Sequence, residues 1–105
     1  MVDTKTFREL ALAFENVIEQ PHFEKQSFRI RKRIFATLDE KNKRATLKLP
    51  EIEQSVFCTF DSAVIYPANG AWGKQGWTII ELTGIRKTML KDALQTSYEC
   101  VSQKS

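Results

Sequence analysis

The chain contains few of the side chains that most catalytic sites use, with one histidine and two cysteines among 105 residues. His22 follows a proline and stands at no spacing that links it to a nucleophilic serine or cysteine, so a catalytic triad is not indicated. Cys58 and Cys100 match no metal or redox motif, and we expect two free thiols. Together with the scattered carboxylates, these absences predict a protein that is not an enzyme and holds no metal ion.

Glycine is also scarce, and three of the four glycines fall in one segment, at Gly70, Gly73 and Gly76. This segment precedes a predicted strand, whereas a dinucleotide-binding loop follows a strand and opens a helix. The sequence also lacks a phosphate-binding glycine loop that ends in Lys-Ser or Lys-Thr. We therefore expect no cofactor.

Long apolar runs are missing as well. No stretch of about 18 apolar residues occurs, which argues against a membrane-spanning helix. The first five residues are polar overall and lead directly into an amphipathic pattern, unlike a signal peptide. With 105 residues, 42% of them hydrophobic, the chain is expected to form one domain over residues 1–105 with its own core. We expect a monomeric, cytoplasmic protein.

The positive charge is concentrated in one quarter of the chain. The net charge of the whole chain is +3, but residues 22–49 alone hold nine basic and three acidic side chains. Residues 50–69 hold no basic side chain and three acidic ones. Because a sequence pI of about 9.0 already favours weak attraction to any polyanion, the location of the charge is more informative than its sum.

The period of the hydrophobic pattern changes near residue 22. Apolar residues over 7–18 recur at helical spacing, and the Gln-Pro pair at 20–21 is expected to end this helix. Over 23–49 apolar and polar residues alternate, which predicts three strands. Turns are expected at 31–33 and at 39–43.

The second half of the chain returns to helices separated by strands. Proline at the first helical position predicts a helix from residue 51, whose inner side would carry Ile52, Val56, Phe57 and Phe60. Strands are expected at 62–67 and 77–82, with Trp77 in the core, and a last helix at 85–101. The predicted order is α-β-β-β-α-β-β-α, an α+β fold with an antiparallel sheet and helices on one face.

The polar side of the alternating segment is basic. Its cations are expected to form one patch on the outer side of adjacent strands and at their turns: Arg29, Arg31, Lys32, Arg33, Arg44 and Lys48. Trp72 and Lys74 form a second candidate region, because an aromatic ring beside a cation can stack on a nucleobase. The patch suits the phosphates of nucleic acid. The same patch suits an acidic protein equally. A strand face that has no binding role and only contacts solvent would have the same composition.

Several short segments resemble the YjbR-like (MmcQ/YjbR) family in their order and spacing. They are Ile34-Phe35-Ala36 after the basic turn, Leu47-Lys48-Leu49-Pro50-Glu51 at the middle helix, Lys74-Gln75-Gly76-Trp77-Thr78 with Leu82, and Ser97-Tyr98 in the last helix. Together with the amphipathic first helix, the similarity covers nearly the whole chain.

This resemblance implies a fold similar to the frataxin-like, double-wing arrangement. It also implies DNA binding, a label that family members carry largely through analogy of fold. Frataxin-like iron binding is not expected, because the acidic residues of the first helix are dispersed and the first predicted strand is basic. The sequence thus predicts low-specificity DNA binding through the basic face or, alternatively, binding of an acidic protein through the same face. A small-ligand pocket beside Trp72 is a third alternative.

Overall fold

The computed structural model describes residues 2–102, which fold into a six-stranded antiparallel sheet and four helices. The helices are α1 (Thr4–Leu12), α2 (Glu51–Cys58), α3 (Ala71–Lys74) and α4 (Lys87–Ser102). The strands are β1 (Val17–His22), β2 (Lys25–Ile30), β3 (Arg33–Asp39), β4 (Arg44–Lys48), β5 (Ile65–Pro67) and β6 (Trp77–Glu81). They lie in the order β1-β2-β3-β4-β6-β5, so that β1 and β5 form the two edges.

The predicted α+β class and antiparallel sheet are confirmed, and the predicted elements are present in their predicted order. The structure adds two elements to that order, strand β1 and the single-turn helix α3. Strands β1 to β4 form a meander of hairpins, and β6 then pairs with β4. Helix α4 packs across β2, β3 and β4, and α1 packs on β1 and α4, which leaves the other face of these strands available.

The first helix is shorter than predicted, because the second half of its apolar pattern forms strand β1. The helix ends at Leu12, and Asn16 takes a left-handed conformation with φ of 66°. Val17 and Ile18 are β-branched and pair with β2 instead of extending the helix. Pro21 is compatible with β1, since an edge strand tolerates a residue that has no amide hydrogen.

The core lies between the sheet and helices α1 and α4, and aromatic pairs join the layers. Phe7 of α1 packs edge-on against Phe28 of β2, with 5.6 Å between ring centroids. Phe35 of β3 packs edge-on against Tyr98 of α4, with 5.9 Å between centroids. Phe35 is the extra residue of a bulge in the β2–β3 pairing, and its carbonyl oxygen accepts a hydrogen bond of 2.7 Å from the buried Ser97 hydroxyl. This bond fixes the bulge against α4.

Helix α2 packs in a different way from the prediction. Phe57 is buried as predicted, but the other three predicted inner residues are exposed: Ile52, Val56 and Phe60. The reason is that α2 lies beside the short edge strand β5 and does not cross the sheet. The Gln54 side-chain amide anchors it there by donating to the Gly73 carbonyl oxygen at 3.0 Å and to Thr78 Oγ1 at 3.1 Å.

Three further expectations concern cysteines, membranes and metals. Cys58 and Cys100 are free thiols, as predicted. Within residues 2–102 no helix has the length and apolar character needed to cross a bilayer. Over the same stretch of chain, no three His, Cys, Asp or Glu side chains come together as a group that could hold a metal ion.

Candidate nucleic-acid interface

The sheet face opposite α1 and α4 is open, and its side chains form three rows that run across the strands. The upper row contains Lys25, Asp39, Arg44 and Glu81. The middle row contains Ser27, Thr37, Thr46 and Ile79. The lower row contains Arg29, Ile34, Lys48 and Trp77. We call this surface the open face.

The upper row is balanced in charge. Arg44 Nε donates a hydrogen bond of 2.9 Å to the Glu81 carboxylate, and the Tyr66 hydroxyl donates to the same oxygen. The bond to Glu81 stabilises the protonated phenol and so raises the pKa of Tyr66. Hydrogen bonds from the Asn42 side chain and backbone amide lower the pKa of Asp39, and the nearby charges of Lys25 and Arg44 lower it further. The sequence predicts that Arg44 belongs to the phosphate-binding patch. In the structure its guanidinium is instead paired with the Glu81 carboxylate of the same chain.

Six of the eight predicted site residues gather instead at the lower end of the sheet. We call this region the basic end, and its members are Arg29, Arg31, Lys32, Arg33, Lys48 and Lys74. One hollow joins Arg33 to Lys48, and a second joins Lys48 to Lys74 with Glu51 at its rim. The hollow of Arg33 is also lined by Cys100 and Val101 near the C-terminal end of α4, so the patch wraps around the sheet end.

The tip of the β2–β3 hairpin holds two cations in a conformation that disfavours them. Arg31 and Lys32 are the two residues between the strands, and their φ angles are 51° and 73°. Positive φ at both positions is typical of a type I′ turn, for which Asn-Gly is the preferred pair. Side chains with a Cβ pay a steric cost of roughly 1–2 kcal/mol per residue in this region. Arg31 and Lys32 therefore make this turn less stable than an Asn-Gly pair would.

We expect the double substitution Arg31→Asn/Lys32→Gly to stabilise the protein, because it supplies the residues that the turn conformation favours. The gain should be about 1 kcal/mol, or about 4–8 °C in Tm for a domain of this size. Thermal unfolding followed by circular dichroism measures it. A Tm equal to or below that of the parent would show that the turn is not strained.

An apolar groove of about 520 Å³ occupies the middle of the open face. Thr37, Thr46 and Ile79 form its floor. The β1–β2 hairpin bounds it on one side, and the segment from Ala68 to Trp72 bounds it on the other. Its volume lies in the range of natural ligand pockets. The third alternative from the sequence, a small ligand bound beside Trp72, therefore also has a cavity of suitable size.

Two exposed aromatic residues lie on the segments that border this groove. Trp72 of α3 is 63% exposed and lines the groove directly. Phe23 is 94% exposed at the tip of the β1–β2 hairpin, where its φ is 60° and its ring lies 4.8 Å from that of His22. The sequence pattern does not single out Phe23, because the predicted first helix extends through residues 17–20. A strand prediction for these residues would have placed Phe23 in a hairpin turn.

Trp77, predicted to be in the core, is only partly buried and lies in the lower row of the open face. Its strand pairs with β4 so that Trp77 lies opposite Lys48, while Thr78 and Ile80 fill the helix-covered face. Lys48 Nζ lies 5.5 Å from the Trp77 ring centroid and donates a hydrogen bond to the Gln75 carbonyl oxygen. The ammonium therefore covers one face of the Trp77 ring.

These features define a small α+β domain whose sheet is covered by helices on one face and bears a groove and a basic end on the other. The YjbR family model matches residues 12–100, and the chain belongs to this family, as the resemblance predicts. It is similar in fold to the crystal structure of the Deinococcus radiodurans protein DR2400, which has a DUF419 domain. The TM-score is 0.87 at 21% identity, over 99% of this chain and 81% of that chain. No curated protein matches the sequence.

Proposed function

We propose that the protein is a non-enzymatic domain that binds nucleic acid, in particular DNA, with low sequence specificity, and that it acts as a cytoplasmic monomer. The observation that supports this most strongly is the position of the basic end beside the apolar groove. Cations neutralise backbone phosphates, and exposed aromatic rings offer surfaces on which bases stack. One surface of the molecule brings both kinds of group together.

The affinity in this proposal comes mainly from the phosphates. Lysine and arginine side chains that neutralise phosphates release counterions from the nucleic acid, so the binding constant falls as salt rises. Hydrogen bonds to phosphate carry no sequence information. The six cations of the basic end thus account for binding, and nothing in the arrangement requires a preferred base sequence.

The salt dependence of DNA binding tests this proposal. The variant Arg31→Asn/Lys32→Gly/Lys74→Gln removes three charges from the basic end, and its turn substitutions favour the native turn. If the three cations each contact one phosphate of duplex DNA, they account for a loss of affinity of about 40-fold between 50 and 200 mM salt. Fluorescence anisotropy of labelled DNA over this salt range should show that the variant lacks this part of the dependence.

A matched control removes the same charge elsewhere. Lys5, Lys87 and Lys91 are exposed on α1 and α4, which cover the opposite side of the sheet. Their replacement by glutamine lowers the net charge equally, so it should leave the salt dependence close to that of the parent. Equal salt dependence in the two triple variants would contradict the assignment of the basic end, because the attraction would then be a property of net charge alone.

An acidic protein is a second candidate partner. The observation in its favour is the exposure of Phe23 and Trp72, since aromatic side chains and arginine are enriched at protein interfaces. Competition separates the two candidates. We expect excess polyglutamate to displace labelled DNA poorly, and efficient displacement at equal charge concentration would favour the acidic protein.

A further inference from the structure

We infer that the groove of the open face accepts single-stranded nucleic acid, with a base stacked on Trp72 and the backbone held at the basic end. This inference rests on the proposed function and names the form of nucleic acid that the surface prefers. Three observations support it: the chemistry of the groove floor, the exposed aromatic residues on the bordering segments, and the difference between Trp72 and Trp77 in how much of the ring is available for stacking.

The groove floor is mostly apolar, with His22 and Lys25 at its border with the β1–β2 hairpin. It consists of hydroxyl and aliphatic groups from Thr37, Thr46 and Ile79, with Ile34 beside them. A duplex presents its charged backbones outwards and keeps the flat faces of its bases stacked inside, so it has little apolar surface to offer this floor. A single strand exposes base faces, which every base has and which aromatic and apolar side chains can cover.

The borders of the groove carry aromatic side chains that the fold leaves uncovered. Trp72 is 63% exposed, and Phe23 is 94% exposed. Phe23 also keeps a positive φ of 60°, which is rare for a bulky residue. Neither ring contributes much to the core in these positions. Trp72 lines the groove, where a base would meet it, and Phe23 lies at the tip of the hairpin that bounds the groove on the other side.

The two tryptophans differ in their availability. Lys48 lies over the Trp77 ring, 5.5 Å from its centroid, so one face of this ring already has a cationic partner. Trp72 stands on α3 at the edge of the groove, and most of its surface is open to solvent. Trp72 is therefore the stacking platform. The groove meets the basic end at Ile34 and Trp77, which line both the groove and the hollow of Arg33 and Lys48, so the backbone of a strand in the groove reaches cations there.

Two substitutions of Trp72 separate stacking from simple apolar contact. Trp72→Leu keeps an apolar side chain but removes the ring, whereas Trp72→Phe keeps a ring. Loss of one base–aromatic stack is expected to weaken binding of single-stranded oligo(dT) by roughly 5- to 150-fold in the leucine variant. The phenylalanine variant should retain most of the affinity. Binding of a duplex of the same length should be unchanged in both variants.

Phe60→Leu is the matched control, because Phe60 is 62% exposed just after α2 and is not among the residues that line the groove. It removes an equally exposed ring outside the groove and should leave all affinities unchanged. The measurements are anisotropy of labelled oligo(dT) and duplex at fixed salt, with quenching of tryptophan fluorescence by unlabelled oligo(dT). Thermal unfolding of each variant confirms that the fold is intact.

Each possible result either supports or overturns the inference. Parent protein that prefers oligo(dT) over duplex, together with a selective loss in Trp72→Leu, supports the inference. Equal or tighter binding of duplex, with no effect of Trp72→Leu, overturns the inference but leaves the proposed function standing. If neither nucleic acid binds at low salt, both the inference and the proposed function are wrong.

Discussion

Gly76→Ala should be the most destabilising single substitution in this protein. Gly76 has a φ of 104°, and a Cβ at this position would lie 2.1 Å from the Leu49 carbonyl oxygen. Neither group can move easily, because the Leu49 amide donates a hydrogen bond of 2.9 Å to the Gly76 carbonyl oxygen. We expect a loss of about 4 kcal/mol or more, a large part of the roughly 5–15 kcal/mol by which domains are stable.

Gly70→Ala provides the comparison that separates backbone strain from steric overlap. Gly70 also has a positive φ, of 63°, but a Cβ there would have no atom within 4 Å. Its replacement should cost only the strain of this backbone conformation, in which ψ is −138°, about 1–3 kcal/mol. Urea unfolding of both variants, followed by circular dichroism, gives the two free energies. Similar midpoints would show that the contact with Leu49 relaxes at little cost.

Phe35→Ala should be the second most damaging change. The ring is fully buried, and it packs edge-on against Phe14 at 6.4 Å and Tyr98 at 5.9 Å between centroids. Its removal leaves a cavity between β3 and α4, for which we expect a loss of about 3–5 kcal/mol. The same unfolding measurement determines it.

Phe23→Ala is the control for this substitution, since it deletes the same atoms from an exposed turn. Phe23 is a surface residue, so the free energy of unfolding should stay within about 0.5 kcal/mol of the parent. Comparable losses in the two variants would mean that Phe35 does not occupy the core position described above.

Strands β2, β3 and β4 of the meander could be predicted well because their signal is local. Alternation of apolar and polar residues over 23–49 placed β2, β3 and β4, and the basic turn fell at Arg31 and Lys32. The end of α1 could not be predicted in the same way. Val17 and Ile18 fit a helical period as well as a strand, and only pairing with β2 decides between them.

The candidate site was predictable only in part, because it depends on contacts between distant segments. Arg44 belongs to the basic face by alternation, yet its partner Glu81 lies 37 residues away, and the β4–β6 register brings them together. The same register turns Trp77 outwards. For α2, periodicity identified an apolar side but not whether the sheet would cover it, since that depends on where the helix docks.

Open sheet edges invite another chain to add a strand, and this protein restricts that growth at both ends of its sheet. The outermost strands are β1, which contains Pro21, and β5, which has three residues and ends at Pro67. Proline offers no amide hydrogen to an incoming strand, and a short edge gives it little length to pair with. The molecule is thereby protected against lateral polymerisation into larger sheets while it keeps the whole breadth of one sheet surface uncovered.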